Sequence, residues 1–277
     1  MSRSLDSITD AAYERRRGEI SALSAGLPPE ASVPVVEYTD WEHDVWRTVR
    51  AELAGRHRTC AAAEYLDSVE QLAVPVDHVP QLRDVSSRLA SISGFRFRAA
   101  PALVPFPEFC GGLAKSVFHS TQYLRHPRSP FYTEEPDLLH DVVGHGGVLT
   151  SKRFARLYRL AGEAAVRVRR AESVQFISKV FWFTLECGVV RERGMHKAYG
   201  ATLVSSCGEL DQFRAAEFRP LDIKGLVDIG YDISTYQPIL FEVSSMDQLE
   251  DTAGTFWNEC DDDSIAALLR SGPSRSG

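Results

Sequence analysis

Residues 132–145 read Tyr132-Thr-Glu-Glu-Pro-Asp-Leu-Leu-His-Asp-Val-Val-Gly-His145, which sets two histidines five residues apart in a largely apolar stretch. Pro136, with acids on both sides, predicts a helix start. On a regular helix, positions i and i+5 lie about 140° apart, so His140 and His145 would not face one point. The glycines around His145 predict that the helix ends or distorts there, which would let the imidazoles converge. Two histidines with satisfied hydrogen bonds near a helix end remain the alternative, and the HExxH pattern of zinc proteases is absent.

A single acid interrupts the longest apolar run of the chain, Val180-Phe-Trp-Phe-Thr-Leu-Glu-Cys-Gly-Val-Val190. A carboxylate in that run is expected to be buried, and a buried charge must be protonated, paired or bound to a cation. An ion pair with a buried arginine such as Arg125 is one interpretation. In the other, Glu186 joins His140 and His145 to bind a divalent metal and leave positions open, which suits non-haem Fe(II). The same ligands also suit hydrolytic zinc, so they do not decide the metal.

Composition describes a folded protein of ordinary polarity: 277 residues, 44% hydrophobic and 25% charged, with a net charge of −7. These values exclude disordered, collagen-like and repetitive chains. A net-acidic chain is a poor candidate for nucleic-acid or anionic-membrane binding, so we expect neither partner. No apolar secretion signal is seen, and the longest apolar run is too short to span a bilayer. Free thiols in the cytoplasm are predicted because the five cysteines are widely spaced and form no CxxC pair.

Apolar periodicity predicts a mainly α fold with small β elements and without the regular βαβ alternation of doubly wound folds. One predicted helix begins at Asp40. A second carries an apolar stripe that starts at Leu82, and it ends at Gly94. Further helices are predicted at residues 111–124, 152–170 and 174–190. The predicted strands cover residues 223–229 and 239–243, and Ser245 with Gln248 resembles a capping box.

Four separated blocks resemble the pterin-dependent aromatic amino acid hydroxylases. They are Phe118-His-Ser-Thr-Gln-Tyr-Leu-Arg-His126, residues 132–145, Phe181-Trp-Phe-Thr-Leu-Glu186 and Ala198-Tyr-Gly-Ala-Thr-Leu-Val-Ser-Ser-Cys-Gly-Glu209. The resemblance covers residues 94–245 and is to the short bacterial form, usually a monomer. It implies the aromatic amino acid hydroxylase catalytic-domain fold, with a segment at residues 1–35, one catalytic domain at 36–270 and a disordered tail at 271–277. It also implies Fe(II), tetrahydrobiopterin or a related reduced pterin, O2 as co-substrate, and L-phenylalanine as the small-molecule substrate.

The resemblance assigns site residues by their positions. The metal ligands would be His140, His145 and Glu186. The pterin would contact Leu103, Phe109, His119, Asp141 and Phe181, with Phe109 as the stacking ring. The substrate would contact Arg125, Tyr132, Thr133, Pro136, Trp182 and Ser205, and Glu209 falls at a catalytic position near the iron. Arg125 would bind the α-carboxylate, for which a guanidinium is well suited. Without the resemblance, the pterin-site rings and Trp182 would be expected in the core and Arg125 at the surface.

Some positions depart from the family pattern. They are Gly146 and Gly147, where the family usually has a bulkier residue and then Pro; Phe181, where animal enzymes have Tyr; and Cys187 and Thr202, where phenylalanine 4-hydroxylases carry Phe and Gly. Neutral drift with repacking is one explanation. The other is that Cys187 and Thr202 move free volume across the pocket, and a change of one methylene is worth about 1–3 kcal/mol between substrate poses.

We therefore hypothesise that L-phenylalanine is hydroxylated at the meta carbon to give m-tyrosine, a pattern similar to the phenylalanine 3-hydroxylases of bacterial secondary metabolism. The alternatives are phenylalanine 4-hydroxylation, tryptophan hydroxylation and, more distantly, a His2Glu zinc hydrolase.

Overall fold

The computed structural model describes residues 8–271, and most of this part is helical, as the periodicity predicts. The helices are α1 (Asp10–Ser24), α2 (Asp40–Cys60), α3 (Ala63–Leu72), α4 (Leu82–Ser93), α5 (Phe106–Leu113), α6 (Gly147–Leu149), α7 (Lys152–Arg167), α8 (Ala171–Phe181), α9 (Ala201–Ser205), α10 (Cys207–Gln212), α11 (Met246–Leu249), α12 (Thr255–Glu259) and α13 (Asp262–Arg270). The tail expected at residues 271–277 lies outside the described part from residue 272 onward. No described helix has the length and apolar character that crossing a membrane requires.

Six short strands form two small sheets in the described part. Strands β1 (Arg96–Ala99) and β2 (Val117–Ser120) pair in parallel. Strands β3 (Val189–Glu192), β4 (Met195–Ala198), β5 (Glu217–Pro220) and β6 (Ile239–Val243) form a sheet in the order β4-β3-β6-β5. Only the β3–β4 pair is antiparallel. The prediction of a mainly α fold with small β elements is therefore confirmed.

Several predicted elements are confirmed at their ends. Helix α2 begins at Asp40 after a capping box made by Thr39 and Glu42. Helix α4 ends at Gly94, whose positive φ of 82° suits a glycine C-cap. The strand predicted at residues 239–243 is β6, and the Ser245 hydroxyl accepts the Gln248 amide proton as the capping pattern predicts.

Two predicted elements are wrong. Residues 111–124 are not one helix: α5 ends at Leu113, and Ser116 adopts a left-handed φ of 58° that turns the chain into β2. Residues 223–229 are not a strand, because the amides of Leu226 and Val227 bond three residues back in successive turns. In both segments a local turn presents apolar side chains to the core, so periodicity alone gives the wrong element.

One continuous hydrophobic core is formed by buried side chains between Val45 and Ile265. A smaller cluster of Ile20, Val36 and Tyr123 attaches α1, and the Tyr13 hydroxyl donates to the Leu124 carbonyl at 3.0 Å. A single domain over residues 36–270 stays a prediction, which the continuity of the core supports.

Two π-helical segments lie at the centre of the molecule. His140–Gly146 precedes α6, and Trp182–Glu186 continues α8 before the chain enters β3. In a π-helix the backbone hydrogen bond spans five residues instead of four, so each turn is wider. The Cys187 amide, for example, donates to the Trp182 carbonyl at 2.8 Å. The sequence indicated a distortion near His145, and the structure shows that it is a widened turn.

Close packing surrounds the first of these segments. A Cβ atom on Gly147 would lie 2.8 Å from Val69 Cγ2 and 2.9 Å from Tyr65 Cε2, and one on Gly144 would lie 2.7 Å from the Ala201 carbonyl oxygen. These distances are shorter than ordinary contacts, so α3 and α9 can approach the segment only because glycines face them. The unusual Gly147 therefore has a packing reason.

We predict that Gly147→Ala lowers the free energy of unfolding by about 1–3 kcal/mol, because the added methyl must displace α3. Urea denaturation followed by circular dichroism measures this. Gly111→Ala is the matched control: nothing lies within 4 Å of a Cβ there, and alanine in a helix is up to about 1 kcal/mol better than glycine. Equal stability of Gly147→Ala and the wild type would contradict the packing argument.

Candidate active site

The three side chains predicted to bind a metal lie together. His145 Nε2 is 3.0 Å from His140 Nε2 and 3.2 Å from Glu186 Oε1. Donors at about 2.1 Å from one ion and at right angles to each other lie about 3 Å apart, so the spacing fits a single cation. Among the described residues this is the only group of three or more such side chains close enough to hold a metal ion.

The ring nitrogens that face away from this point have hydrogen-bond partners. His140 Nδ1 lies 2.8 Å from Ser205 Oγ, and Ser205 Oγ also donates to the Ala201 carbonyl at 2.8 Å. Since the serine proton is used there, His140 Nδ1 must be the donor, which leaves the Nε2 lone pair for a cation. His145 Nδ1 lies 2.9 Å from the buried Tyr158 hydroxyl. Ser205, expected to hold the substrate, therefore orients a metal ligand.

The carboxylate has a comparable outer contact. Thr202 Oγ1 donates to Glu186 Oε2 at 2.8 Å, while Oε1 faces His145. Burial, which would raise the pKa of Glu186, is outweighed by His145, His140 and Thr202, and the pKa falls to about 2. Burial and the adjacent His145 lower the pKa of His140 to about 4. A neutral imidazole and a charged carboxylate are the protonation states that bind a divalent cation.

A cavity of about 520 Å³ opens beside the metal-binding group and exposes His140 and Glu186 in its wall. Its wall contains all six predicted substrate-site residues, Arg125, Tyr132, Thr133, Pro136, Trp182 and Ser205, together with Thr202 and Glu209. Cys187 does not line it and is completely buried. Burial and the charges of Glu209 and Glu186 raise the pKa of its thiol. Since both glutamates line the cavity, Cys187 lies just behind the wall.

One wall of the cavity was not predicted. Residues 233–236, Ile-Ser-Thr-Tyr, line it from the loop before β6, and Ile233 and Tyr236 are exposed there. The neighbouring Tyr231 stacks on Trp182 with ring centroids 5.7 Å apart. The sequence offered one signal for this wall, since Ile233 and Tyr236 are large apolar residues in an otherwise polar segment. Exposed apolar side chains often mark a binding site.

Arg125 is buried, so the surface alternative for this residue is wrong. Its Nε and Nη2 atoms donate to the two carboxylate oxygens of Asp137 at 2.9 and 2.8 Å. The interpretation that Arg125 pairs with Glu186 is thereby excluded. Asp137 also accepts the His140 amide proton at 3.0 Å, so it caps the helix that bears the histidines. The remaining Nη1 group makes only a 3.4 Å contact with the Pro130 carbonyl, which leaves it able to bind a carboxylate.

Three of the five predicted pterin-site residues, Phe109, His119 and Phe181, lie near a cluster of rings on the His145 side. Phe109 contacts Phe118 and Phe181 edge-on, at centroid distances of 5.1 and 6.0 Å, and Phe118 lies 4.4 Å from the His145 ring. His119, in β2, has a buried Nδ1 without a hydrogen-bond partner among the described residues.

The other two differ in their environment. Asp141 is buried and accepts the Thr121 amide proton at 3.2 Å, and burial raises its pKa to about 7. Leu103 is 66% exposed on the loop before α5, outside the ring cluster. The structure therefore offers a ring platform and an unpaired polar nitrogen on the side of the metal-binding group that bears His145.

Residues 3–263 match the biopterin-dependent aromatic amino acid hydroxylase family. The chain belongs to this family. The expected fold and pterin dependence are thus confirmed, and the zinc hydrolase alternative is not supported.

Individual relatives agree with this assignment. The chain is 77% identical over 269 residues to phenylalanine 3-hydroxylase of Streptomyces coeruleorubidus, covering 97% of this chain and 96% of that protein. It is 33% identical to phenylalanine-4-hydroxylase of Rattus norvegicus and 35% identical to tyrosine 3-monooxygenase of Bos taurus, and covers 56% and 50% of them. The chain therefore spans about half the length of these animal relatives.

Solved structures show the same fold. The phenylalanine hydroxylase of Colwellia psychrerythraea 34H superposes with a TM-score of 0.79 at 26% identity, covering 89% of this chain and 92% of that one. The Chromobacterium violaceum enzyme with bound Fe(III) gives 0.80 at 25% identity, covering 91% and 93%.

We predict that the protein binds one Fe(II) or Co(II) per chain and that His140→Ala and His145→Ala each remove this binding. Losing a ligand should cost more than the roughly 10–100-fold that losing an outer partner costs. Metal analysis after dialysis and calorimetric titration measure stoichiometry and affinity. His196→Ala is the control, because His196 lies in the four-stranded sheet, where it contacts Glu242, and is not part of the metal-binding group. Unchanged binding by His145→Ala would contradict the assigned site.

Proposed function

We propose that this protein is an Fe(II)- and tetrahydrobiopterin-dependent monooxygenase that hydroxylates L-phenylalanine at the meta carbon to give m-tyrosine. The observation that carries the proposal is one cavity whose wall contains His140 and Glu186 of the metal-binding group as well as Arg125, with Trp182 as an aromatic wall. The 77% identical relative named phenylalanine 3-hydroxylase supports the choice of substrate and ring position. That the enzyme acts as a cytoplasmic monomer stays a prediction.

The residues fit the two cofactors. His140, His145 and Glu186 offer two nitrogens and one oxygen on one side of a common point, which suits ferrous ion and leaves positions open. The ring cluster around Phe109, with His119 beside it, offers a stacking surface and a hydrogen-bonding nitrogen to a pterin. Iron and reduced pterin supply the activation of O2 when they are bound. The protein contributes orientation and a site shielded from water.

Arg125 is suited to bind the substrate carboxylate. Asp137 fixes two of its nitrogens, so the guanidinium is held rigidly and presents Nη1 to the cavity. Arg125 and Asp137 also neutralise each other's charge. A substrate carboxylate would then be a second partner for a guanidinium that Asp137 already orients. Pro136 and Trp182 would contact the ring of the bound amino acid.

Glu209 is the carboxylate best placed for the substrate ammonium group. Four glutamates line the cavity. Glu135 pairs with Arg17, Glu186 faces His145 and Thr202, and Glu134 is exposed at the rim. The Glu209 carboxylate has no hydrogen-bond partner within residues 8–271, and burial raises its pKa to about 7. A zwitterionic amino acid needs one anion and one cation in its site, and Glu209 with Arg125 supplies them.

We predict that Glu209→Gln raises KM for L-phenylalanine about 10-fold, because a charge-assisted hydrogen bond is lost while shape is retained. Steady-state kinetics with a fixed pterin concentration measures this. Glu134→Gln, on the exposed rim, is the matched control and should keep the wild-type KM. A Glu209→Gln enzyme with unchanged KM would remove Glu209 from the substrate site.

The same residue predicts a pH dependence. As the pH falls through about 7, Glu209 takes up a proton and loses the charge that attracts the ammonium group, so KM should rise. Other ionisable side chains in the wall include Arg125, Glu134, Glu135, His140 and Glu186. Arg125 keeps its charge throughout, because Asp137 raises its pKa against the effect of burial. In the Glu209→Gln enzyme, the acid-side rise in KM should be absent, which separates Glu209 from the other groups.

Ring position is tested by the products. We predict m-tyrosine as the main product, with tryptophan a poorer substrate, by mass-spectrometric and chromatographic product analysis. The Cys187→Phe, Thr202→Gly double variant should shift the products towards p-tyrosine: Thr202 lines the cavity, and a phenyl ring at the buried Cys187 has to displace the wall. Mainly p-tyrosine from the wild type would favour the 4-hydroxylase alternative. An unmoved ratio in the double variant would show that these two residues do not set the ring position.

A further inference from the structure

Thr202 makes a contact that a glycine at this position could not make. Its Oγ1 donates to Glu186 Oε2 at 2.8 Å, and the other carboxylate oxygen, Oε1, faces His145. We propose that Thr202 is a positioning residue that acts through Glu186: it holds Oε2, so that Oε1 alone is presented to the metal, and it influences ring position in this way rather than by bulk.

The direction of the hydrogen bond is set by charge. A carboxylate oxygen can only accept, so the Thr202 hydroxyl is the donor. Hydrogen bonds to a charged oxygen are roughly twice as strong as neutral ones, especially where water is excluded. The neighbours Thr184, Leu185 and Cys187 are buried, whereas Glu186 keeps 12% of its side chain exposed, so the bond lies between the core and the cavity.

The helix that carries Thr202 is itself held firmly. Helix α9 also contains Ser205, which is bonded to His140. Its Ala201 carbonyl faces Gly144, where a Cβ would lie only 2.7 Å away. One helix of five residues therefore contacts two of the three metal-binding side chains, through Ser205 and Thr202.

A held carboxylate differs chemically from a free one. A glutamate can offer one or both oxygens to an ion, and the choice decides how many positions stay open. An oxygen that already accepts a strong hydrogen bond is less available to the metal. The hydroxyl of Thr202 therefore affects which oxygen of Glu186 is available to the metal, whereas its methyl group affects the volume of the cavity that Thr202 lines.

The two effects are separated by three variants. Thr202→Ser keeps the hydroxyl and removes the methyl, Thr202→Val keeps the volume and removes the hydroxyl, and Thr202→Ala removes both without adding bulk. The probe is Co(II), whose visible absorption reports its coordination, added to the purified full chain. Circular dichroism and thermal melting show which variants are folded, and Thr202→Ala replaces Thr202→Val if the valine does not fold.

We expect Thr202→Val to bind Co(II) about 10-fold more weakly with a changed absorption spectrum, the size typical of losing an outer partner of a metal ligand. Thr202→Ser should keep the wild-type spectrum and an affinity within about twofold. With phenylalanine and pterin, Thr202→Ser should keep the wild-type ratio of meta to para product, and Thr202→Val should shift it. A Thr202→Val protein with the wild-type Co(II) affinity and spectrum, or a product ratio that follows volume alone, overturns the inference.

The inference rests on the proposed metal site, and the two can fail separately. If the wild type binds no Co(II), the proposed site itself is wrong. If the wild type binds Co(II) and Thr202→Val binds it identically, only the role of Thr202 is wrong.

Discussion

The widened turn of the helix at His140–Gly146 is the constraint on which the site depends. Two ligands five residues apart point in different directions on an α-helix and in similar directions on a π-helix, whose hydrogen bonds reach one residue further. The turn is supported from both sides: glycines let α3 and α9 approach to distances that a side chain would forbid. Glu186 comes from a second π-helical segment, so both ligand-bearing elements use the same irregularity to aim polar groups at one point.

The buried charged and polar side chains between the metal-binding group and the cavity each have a partner close by. Asp137 neutralises Arg125 and caps the histidine helix, so a single carboxylate connects the arginine in the cavity wall to the segment that bears His140 and His145. Ser205 and Tyr158 fix the two imidazole rings from behind. Each outer partner satisfies an atom whose burial would otherwise destabilise the fold. These partners hold the donors in fixed orientations, and preorganised donors limit the cost of reorganisation.

Helix α9 joins the two halves of the site. It contacts the histidine segment through Ser205 and the glutamate through Thr202, and it forms part of the cavity wall. A substitution in this helix therefore acts on the ligands and on the substrate space together. Cys187, one residue after Glu186, is completely buried and does not line the cavity, so a larger side chain there would reach the cavity only by displacing the wall. Of the positions that depart from the family pattern, Thr202 thus lines the cavity and Cys187 does not.

The amino-acid sequence by itself predicted the helical class and the family, which are confirmed, and it singled out His140, His145 and Glu186, whose side chains the structure brings together. Those conclusions rest on local periodicity, on one acid in an apolar run, and on blocks of residues close together in the chain. Only the tertiary structure decided that Asp137 holds Arg125, that Ser205 is bonded to His140, that residues 233–236 form a wall and that Cys187 lies outside the cavity. These facts depend on hydrogen-bond geometry and on packing between segments, some of them distant in the chain. The wrong helix at residues 111–124 has the same origin, since the left-handed turn at Ser116 and the pairing of β2 with β1 override local propensity.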